Sequence, residues 1–401
     1  MRGPTSRLGA GGAAAAPAPA GGIGRAGDGR GMFLALGFLI AVVMLLGLVM
    51  VMSASSVVAL DEFGSPWYLV SRQALWALAG TAVLVVVARV DYRRWRALAT
   101  PLLVTALVLL GLVLVPGVGV DANGATRWVG IGPITIQPAE LAKLALLVWV
   151  ADLLARRARL MDNTRATLRP VIVVLVAMSA LVMVQPNLGT TIVIAAIALA
   201  LCFVAGTPVR PLAAWATLAM TGATALALAA PYRRARMIGF LDPWGDPTDT
   251  SYQNVQSLVG LASGGVAGSG LGASRAKWGF LPFAHTDFIF AIIGEELGLV
   301  GASVVIGLFV LLGILGIRIA LHAPDRFGFL LAVGVTSWFL VQAFVNIGGV
   351  TGILPITGVP LPFVSAGGSS LLFGMAGAGL LLSIARRATQ RAPAGGLEGV
   401  P

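Results

Sequence analysis

Residues 33–52 read FLALGFLIAVVMLLGLVMVM, an uninterrupted apolar run without a single charge. A helix of about 20 residues rises roughly 30 Å, the thickness of the hydrocarbon core of a bilayer. The run also exceeds the 7–15 apolar residues of a signal-peptide core, so a retained span is expected, although the small residues Ser53, Ala54 and Ser55 would suit cleavage. Working outward, similar runs follow at about 68–90, 97–115, 138–155, 170–185, 189–206, 211–230, 288–317, 327–348 and 366–385. All should be helical, because an open strand edge leaves backbone groups unsatisfied in lipid. The expected fold is an all-α polytopic integral membrane protein of about ten transmembrane helices. Residues 1–31, mostly Gly, Ala and Pro with scattered Arg, read as a disordered tail, as do 389–401; the membrane domain is 32–388.

The composition agrees. The 401 residues are 58% hydrophobic and only 11% charged, against about 25% charged in soluble domains. A net charge of +11 would suggest nucleic acid in a polar chain. Here the basic residues sit between membrane-length runs, which argues against a nucleic-acid partner. The single cysteine, Cys202, excludes an intramolecular disulfide and reads as a small buried hydrophobe. Two histidines, His285 and His322, without a second thiol argue against structural zinc.

Ten spans put both termini on one side. With that side cytoplasmic, 19 of the 27 Lys and Arg residues fall inside, including Arg93, Arg94, Arg96 and the cluster Arg156, Arg157, Arg159. The positive-inside rule then favours N-in, C-in. The outward segments are about 116–137, a large loop 231–287 between helices 7 and 8, and 349–365. They hold nearly all the unusual polar chemistry.

In the large loop Arg233, Arg234 and Arg236 stand against the positive-inside trend. They suit anionic headgroups or a phosphorylated ligand, or are simply a solvated charge run. Gly264, Gly265, Gly268, Gly270 and Gly272 resemble a phosphate cradle but follow no strand of an α/β unit, so flexible backbone is the better reading. His285 and Asp287 stand at the outer mouth of a long apolar helix, where an ionisable group marks a functional position. Asp287 is a candidate general base, with helix capping by Thr286 or Asp287 as the alternative. Glu295 and Glu296, two turns on, are candidates for pairing or ion binding. Glu140 and Lys143 are three apart, on one helical face after a Pro138 helix start, and either pair structurally or line a polar cavity. Asn123-Gly124 is a turn, and Gln185-Pro186-Asn187 interrupts an apolar stretch with another.

Together these stretches resemble the shape, elongation, division and sporulation (SEDS) family, the FtsW and RodA group, over about residues 33–388. The matching pieces are Asn123-Gly124-Ala125 with Arg127-Trp128, Gln137-Pro138 with Glu140 and Lys143, and Gln185-Pro186 with Leu188-Gly189-Thr190. Further along come Tyr252-Gln253 with Gln256-Ser257, His285-Thr286-Asp287-Phe288, and Leu361-Pro362-Phe363 with Ser365 and Gly367-Gly368-Ser369-Ser370. The chain departs from the usual pattern at Ala139, Asn187, Ser251, Ala366 and Phe283, the last replacing a glutamate or asparagine.

The resemblance implies a peptidoglycan glycosyltransferase that polymerises lipid II at the outer face of the bacterial cytoplasmic membrane. Asp287 would be the catalytic base and undecaprenyl pyrophosphate the leaving group. Glu140 and Lys143 would be the polar pair of the central cavity, Arg127, Arg233 and Arg236 would hold pyrophosphate, and His285, Gln256 and Ser369 would contact substrate. A divalent cation, Mg or Mn, would share the pyrophosphate, with no organic cofactor. Implied partners are lipid II, the nascent glycan strand, a class B penicillin-binding transpeptidase and membrane proteins of the division machinery. Ala276-Lys277-Trp278 and the stretch Ala291 to Gly298 resemble the division branch, Gly358-Val359-Pro360-Leu361-Pro362 the elongation branch; division is favoured. The alternatives are an elongation-type polymerase, a lipid II flippase and a non-catalytic scaffold.

Overall fold

A computed structural model describes residues 28–122, 125–131, 134–229, 231–249 and 251–388. Helices begin where the sequence supplies acceptors for their first N–H groups, or a proline that has none. Pro138 occupies the first turn of its helix, where its missing N–H costs nothing. Asn187 and Asp325 cap theirs by accepting from Thr190 N (3.1 Å) and Gly328 N (2.8 Å). Seven long helices come first: α1 (Asp28–Phe63), α2 (Tyr68–Arg89), α3 (Trp95–Leu112), α4 (Pro138–Arg156), α5 (Leu168–Val184), α6 (Leu188–Val204) and α7 (Val209–Ala229). Two short ones, α8 (Pro231–Leu241) and α9 (Tyr252–Gly264), precede α10 (Ile289–Leu321), α11 (Arg326–Val350) and α12 (Gly368–Ala388).

Among the described residues six helices, α1, α2, α3, α10, α11 and α12, are long and apolar enough to cross a membrane, and α5 and α6 are shorter apolar helices. The chain is a multi-pass, helical membrane protein. Large apolar side chains such as Phe38, Leu75, Val173 and Leu299 are exposed, as lipid-facing groups must be. The polar helix α4 is instead buried along most of its length, packed against α3, α6 and α11. Its charges are tolerated because protein, and not lipid, surrounds them.

Several expectations need amendment. Helix α1 begins at Asp28, within the segment read as a tail; residues 1–27 and 389–401 lie outside the described residues. The segment 116–137 folds into a small antiparallel sheet, β1 (Gly119–Ala122), β2 (Ala125–Ile131) and β3 (Ile134–Ile136), in that order. Val120 pairs with Trp128 and Val129 with Ile136. Asn123-Gly124, a strong hairpin signal, lies outside the described residues. The large loop 231–287 is not featureless either, since α8 and α9 occupy much of it.

The span expected at 288–317 is broken. Gly298 has φ +66 and interrupts α10. The part before it is almost wholly buried, while 299–321 exposes Leu299, Val300, Val304 and Val310 and is about 34 Å long, a bilayer's thickness. The turn that follows α9, Gly265 to Gly270, lies along the break: Ser269 N donates to Glu295 O (3.0 Å) and Leu299 N to Gly265 O (2.9 Å). These bonds satisfy backbone groups that the interruption frees. Gly268, also at positive φ, touches the Glu296 carbonyl where a Cβ would sit. Gly264 and Gly268 of the glycine-rich stretch thus allow close packing against α10, while Gly265, Gly270 and Gly272 have open space where a Cβ would sit.

Candidate active site

At the end of the bundle that carries the sheet, a cavity of about 470 Å³ opens between α2, β2, the start of α4, the α5–α6 turn, α8 and the segments around Asp287 and Gly358. Arg127, Glu140, Arg236, His285, Asp287 and Ser369 all line it, although they are spread over more than half of the chain. Two of the expected residues do not: Lys143 lies behind the wall, and Gln256 is half-buried on α9 away from it while Gln253, one turn earlier, lines it. The Arg233 side chain is outside the described residues.

Asp287 sits just before α10. The helix is capped by Phe288 without a side-chain bond, and Thr286 Oγ1 donates back to Phe283 O (3.1 Å), so the capping alternative fails. Burial pushes the Asp287 carboxyl up to about 6 from 3.8, opposed by the positive charges of Arg236 and Arg127. Burial pushes His285 below its ordinary value, disfavouring its charged form, and among the described residues its Nδ1 is buried without a partner.

The two arginines come from different elements. Arg127, on β2, donates from Nε to Gln185 O (2.9 Å) and from Nη2 to Pro186 O (2.8 Å), clamping the sheet to the α5–α6 turn. Arg236 is placed by α8, which α9 anchors through Asn254 Nδ2 to Gly239 O (3.1 Å). Arg234, two residues away, is exposed.

On α4, Lys143 Nζ meets Glu140 Oε1 at 2.8 Å, as the spacing of three suggests. Both side chains are almost inaccessible, 1% and 2% exposed, so this is a pair held in low dielectric. Lys143 also donates to Gln342 Oε1 (2.7 Å) and stands over the Trp338 ring (5.2 Å). Its ammonium thereby holds Glu140 in place from behind the cavity wall. Among the described residues Glu140 Oε2 has no hydrogen-bond partner. Ser369 Oγ accepts from Gln137 N (3.0 Å) and donates to Thr135 O (3.4 Å), tying the start of α12 to the approach to α4.

Sequence reasoning passed over Arg72, Gln73 and Trp76 of α2, which line the same cavity. Gln73 Nε2 donates to Ser365 O (3.3 Å) and its Oε1 accepts from Gly367 N (3.2 Å). A glutamine within an apolar span was the available signal. Glu295 and Glu296 prove to be pairing residues. Glu295 accepts from Ser274 Oγ (2.5 Å) and Arg275 N (2.8 Å), while Glu296 accepts from Ser53 Oγ (2.6 Å) and lies 3.6 Å from Lys277 Nζ. They bind the large loop to α10 and α1.

The model of the FtsW/RodA/SpoVE family, described as cell cycle protein, matches residues 34–390. The chain belongs to this family. The probable peptidoglycan glycosyltransferase FtsW of Geobacter metallireducens is 41% identical over 85% of this chain and 91% of its own length. Stage V sporulation protein E of Bacillus subtilis is 40% identical over 85% and 93%. Among solved structures, one described as "Structural coordination of polymerization and crosslinking by a peptidoglycan synthase complex" superposes with a TM-score of 0.73 at 33% identity, covering 88% of this chain and 98% of that one. The rod shape-determining protein RodA of Thermus thermophilus gives a TM-score of 0.64 at 31% identity, with 88% and 96% covered.

Among the described residues no group of three or more His, Cys, Asp and Glu side chains comes together. Glu140 and Asp287 are the carboxylates on the cavity wall. That set suits a hard cation brought in on phosphate oxygens and supported by one or two carboxylates, in place of a closed protein cage.

Proposed function

We propose that this protein is a peptidoglycan glycosyltransferase that polymerises lipid II at the outer face of the bacterial cytoplasmic membrane during cell division. The observation that carries the mechanism is Asp287: a buried carboxyl raised to about 6, on the wall of a cavity that Arg127 and Arg236 make positive. At neutral pH it is ionised yet basic enough to accept a proton, the compromise a general base requires.

The 4-hydroxyl of the acceptor's N-acetylglucosamine gives its proton to Asp287 while its oxygen attacks the anomeric carbon of the growing chain. The bond from that carbon to the phosphate oxygen breaks, and undecaprenyl pyrophosphate leaves with the bonding electrons. Arg127 and Arg236 stabilise the charge that develops on it, with Arg233 of the same basic cluster, as preorganised cations do in a site shielded from water. His285 donates to or accepts from a sugar hydroxyl, and Gln253, one turn from the expected Gln256, offers an amide. A divalent cation, Mg or Mn, would be held by Glu140 together with the pyrophosphate and would neutralise part of its charge.

The N-in, C-in orientation is supported by the arginines gathered at the opposite end, where Arg93 pairs with Asp325, Arg96 and Arg156 with Asp152, and Arg387 with Asp91; on the positive-inside rule that end is read as the cytoplasmic one. The working form is a complex with a class B penicillin-binding transpeptidase and other division proteins, a reading supported by the likeness to a peptidoglycan synthase complex. Purified protein with its transpeptidase partner should convert lipid II into glycan strands on a gel, and Asp287→Asn should abolish this. Full activity in that variant would sink the mechanism.

A further inference from the structure

Helix α11 carries Trp338, Gln342 and Asn346 one turn apart, all buried on one face of an otherwise apolar helix. A polar group so placed is costly unless hydrogen-bonded, so its partners report what it is there to hold. Gln342 Oε1 accepts from Lys143 Nζ (2.7 Å) and Trp338 Nε1 (2.8 Å), while its Nε2 donates to Pro360 O (2.9 Å). Asn346 Nδ2 donates to the main-chain oxygen of Asp287 (2.7 Å) and to Val359 O (2.8 Å). Neither amide can be turned over, since the reverse would set oxygen against carbonyl oxygen at Asn346 and NH2 against an ammonium at Gln342.

The two side chains therefore grip adjacent carbonyls of one segment and reach from it to two different parts of the site. Gln342 ties the segment to the Glu140–Lys143 pair of α4, and Asn346 ties it to Asp287. Gly358, at the head of the segment, has φ +70, and a Cβ there would lie 3.5 Å from Asp287 Oδ2. The segment is thus the floor beneath the carboxylate, and both amides of α11 hold that floor.

We propose that Asn346 and Gln342 are positioning residues for the glycosyl transfer, fixing the Asp287 carboxylate relative to the Glu140–Lys143 pair through the segment 358–361. The proposal rests on Asp287 being the base. Misplacement of a reacting group by about 1 Å lowers turnover by about 100-fold while leaving substrate affinity largely intact. The charged and titratable groups facing Asp287 are Arg236 of α8, Arg127 of β2 and His285 of its own loop, with Arg72 and Glu140 on the same cavity wall.

The test uses the full chain with its transpeptidase partner in lipid nanodiscs, with initial rates measured against lipid II concentration and pH. Asn346→Leu should lower kcat by about 30- to 100-fold with KM within about threefold. It should also move the acidic limb of the kcat profile toward the ordinary carboxylate range, as a loosened carboxylate gains water. Asn346→Gln, which keeps the donor, should recover about a third of the lost activity or more on a logarithmic scale. Gln342→Glu keeps the acceptor for Lys143 and Trp338 but sets a carboxylate oxygen against Pro360 O, so the thermal midpoint should fall; about a tenfold loss of kcat per folded molecule is expected, and this variant, with its folded fraction measured, decides the matter should Asn346→Leu fail to fold. Wild-type kcat in these variants, or a loss of amplitude that tracks the folded fraction with the limb unmoved, overturns the positioning role. Activity retained in Asp287→Asn, run alongside, overturns instead the assignment of the base on which the proposal stands.

Discussion

Burial raises the Asp287 carboxyl from 3.8 to about 6, and Arg236 and Arg127 pull it part of the way back. A base must be ionised to act, so the polymerisation rate should climb as pH rises through about 6 and fall roughly tenfold per unit below it. Initial rates between pH 4.5 and 8 check this. The same shift acts on stability in the opposite sense. Because the folded state holds this proton more tightly than the unfolded chain, the stabilisation is complete below pH 3.8 and lost as pH rises through about 6. Asp287→Asn should therefore be more stable than the parent at pH 7, by up to about 3 kcal/mol, and no more stable at pH 3.5. Equal thermal midpoints of the two at pH 7 would contradict the buried charge. Phe283, on the same cavity wall, has φ +60, a region asparagine tolerates and an aromatic residue does not. Phe283→Asn should raise the melting point by the equivalent of about 1 kcal/mol.

At the scale of elements, α4 and α10 do opposite things with polar residues. Helix α4 brings Glu140 and Lys143 into the bundle and keeps them paired at 2.8 Å. Removing one partner strands the other: Glu140→Gln should destabilise by about 3–5 kcal/mol, whereas Glu140→Leu with Lys143→Met should lose far less, in thermal melts in detergent. Helix α10 instead breaks at Gly298; its short first part follows directly on Asp287, and large-loop backbone is bonded to it at the break. Gly268→Ala would push a Cβ into the Glu296 carbonyl from a left-handed backbone, so a lower melting point and a falling kcat should come together. The pairing at i and i+3 was legible in the sequence because it is local. The break was not, since Gly-Leu-Val-Gly inside an apolar run reads as continuous helix until the stretch Gly264 to Gly270 is seen lying against it.

For the whole molecule, the ion pairs of one end and the cavity of the other define a polarity across the membrane. Reporter fusions at either terminus should be active only in forms that function in the cytoplasm, and a fusion within 231–287 only in forms that function outside. The reverse pattern would invert the topology. Hydrophobic length determined the helical class and the membrane setting, because a bilayer imposes the same rule on every crossing segment regardless of its neighbours, and the short motifs from Asn123-Gly124-Ala125 to Gly367-Gly368-Ser369-Ser370 carried the likeness to the family. Asp287 and the Glu140–Lys143 pair were likewise visible as ionisable residues where such residues are costly. Only the tertiary structure decided that Lys143 is spent on Gln342, 199 residues away, that Gln253 and not Gln256 faces the cavity, and that Arg127 clamps the α5–α6 turn. Those facts depend on which helix faces become neighbours, and a periodic pattern along one chain carries no record of the side chain that will stand opposite it.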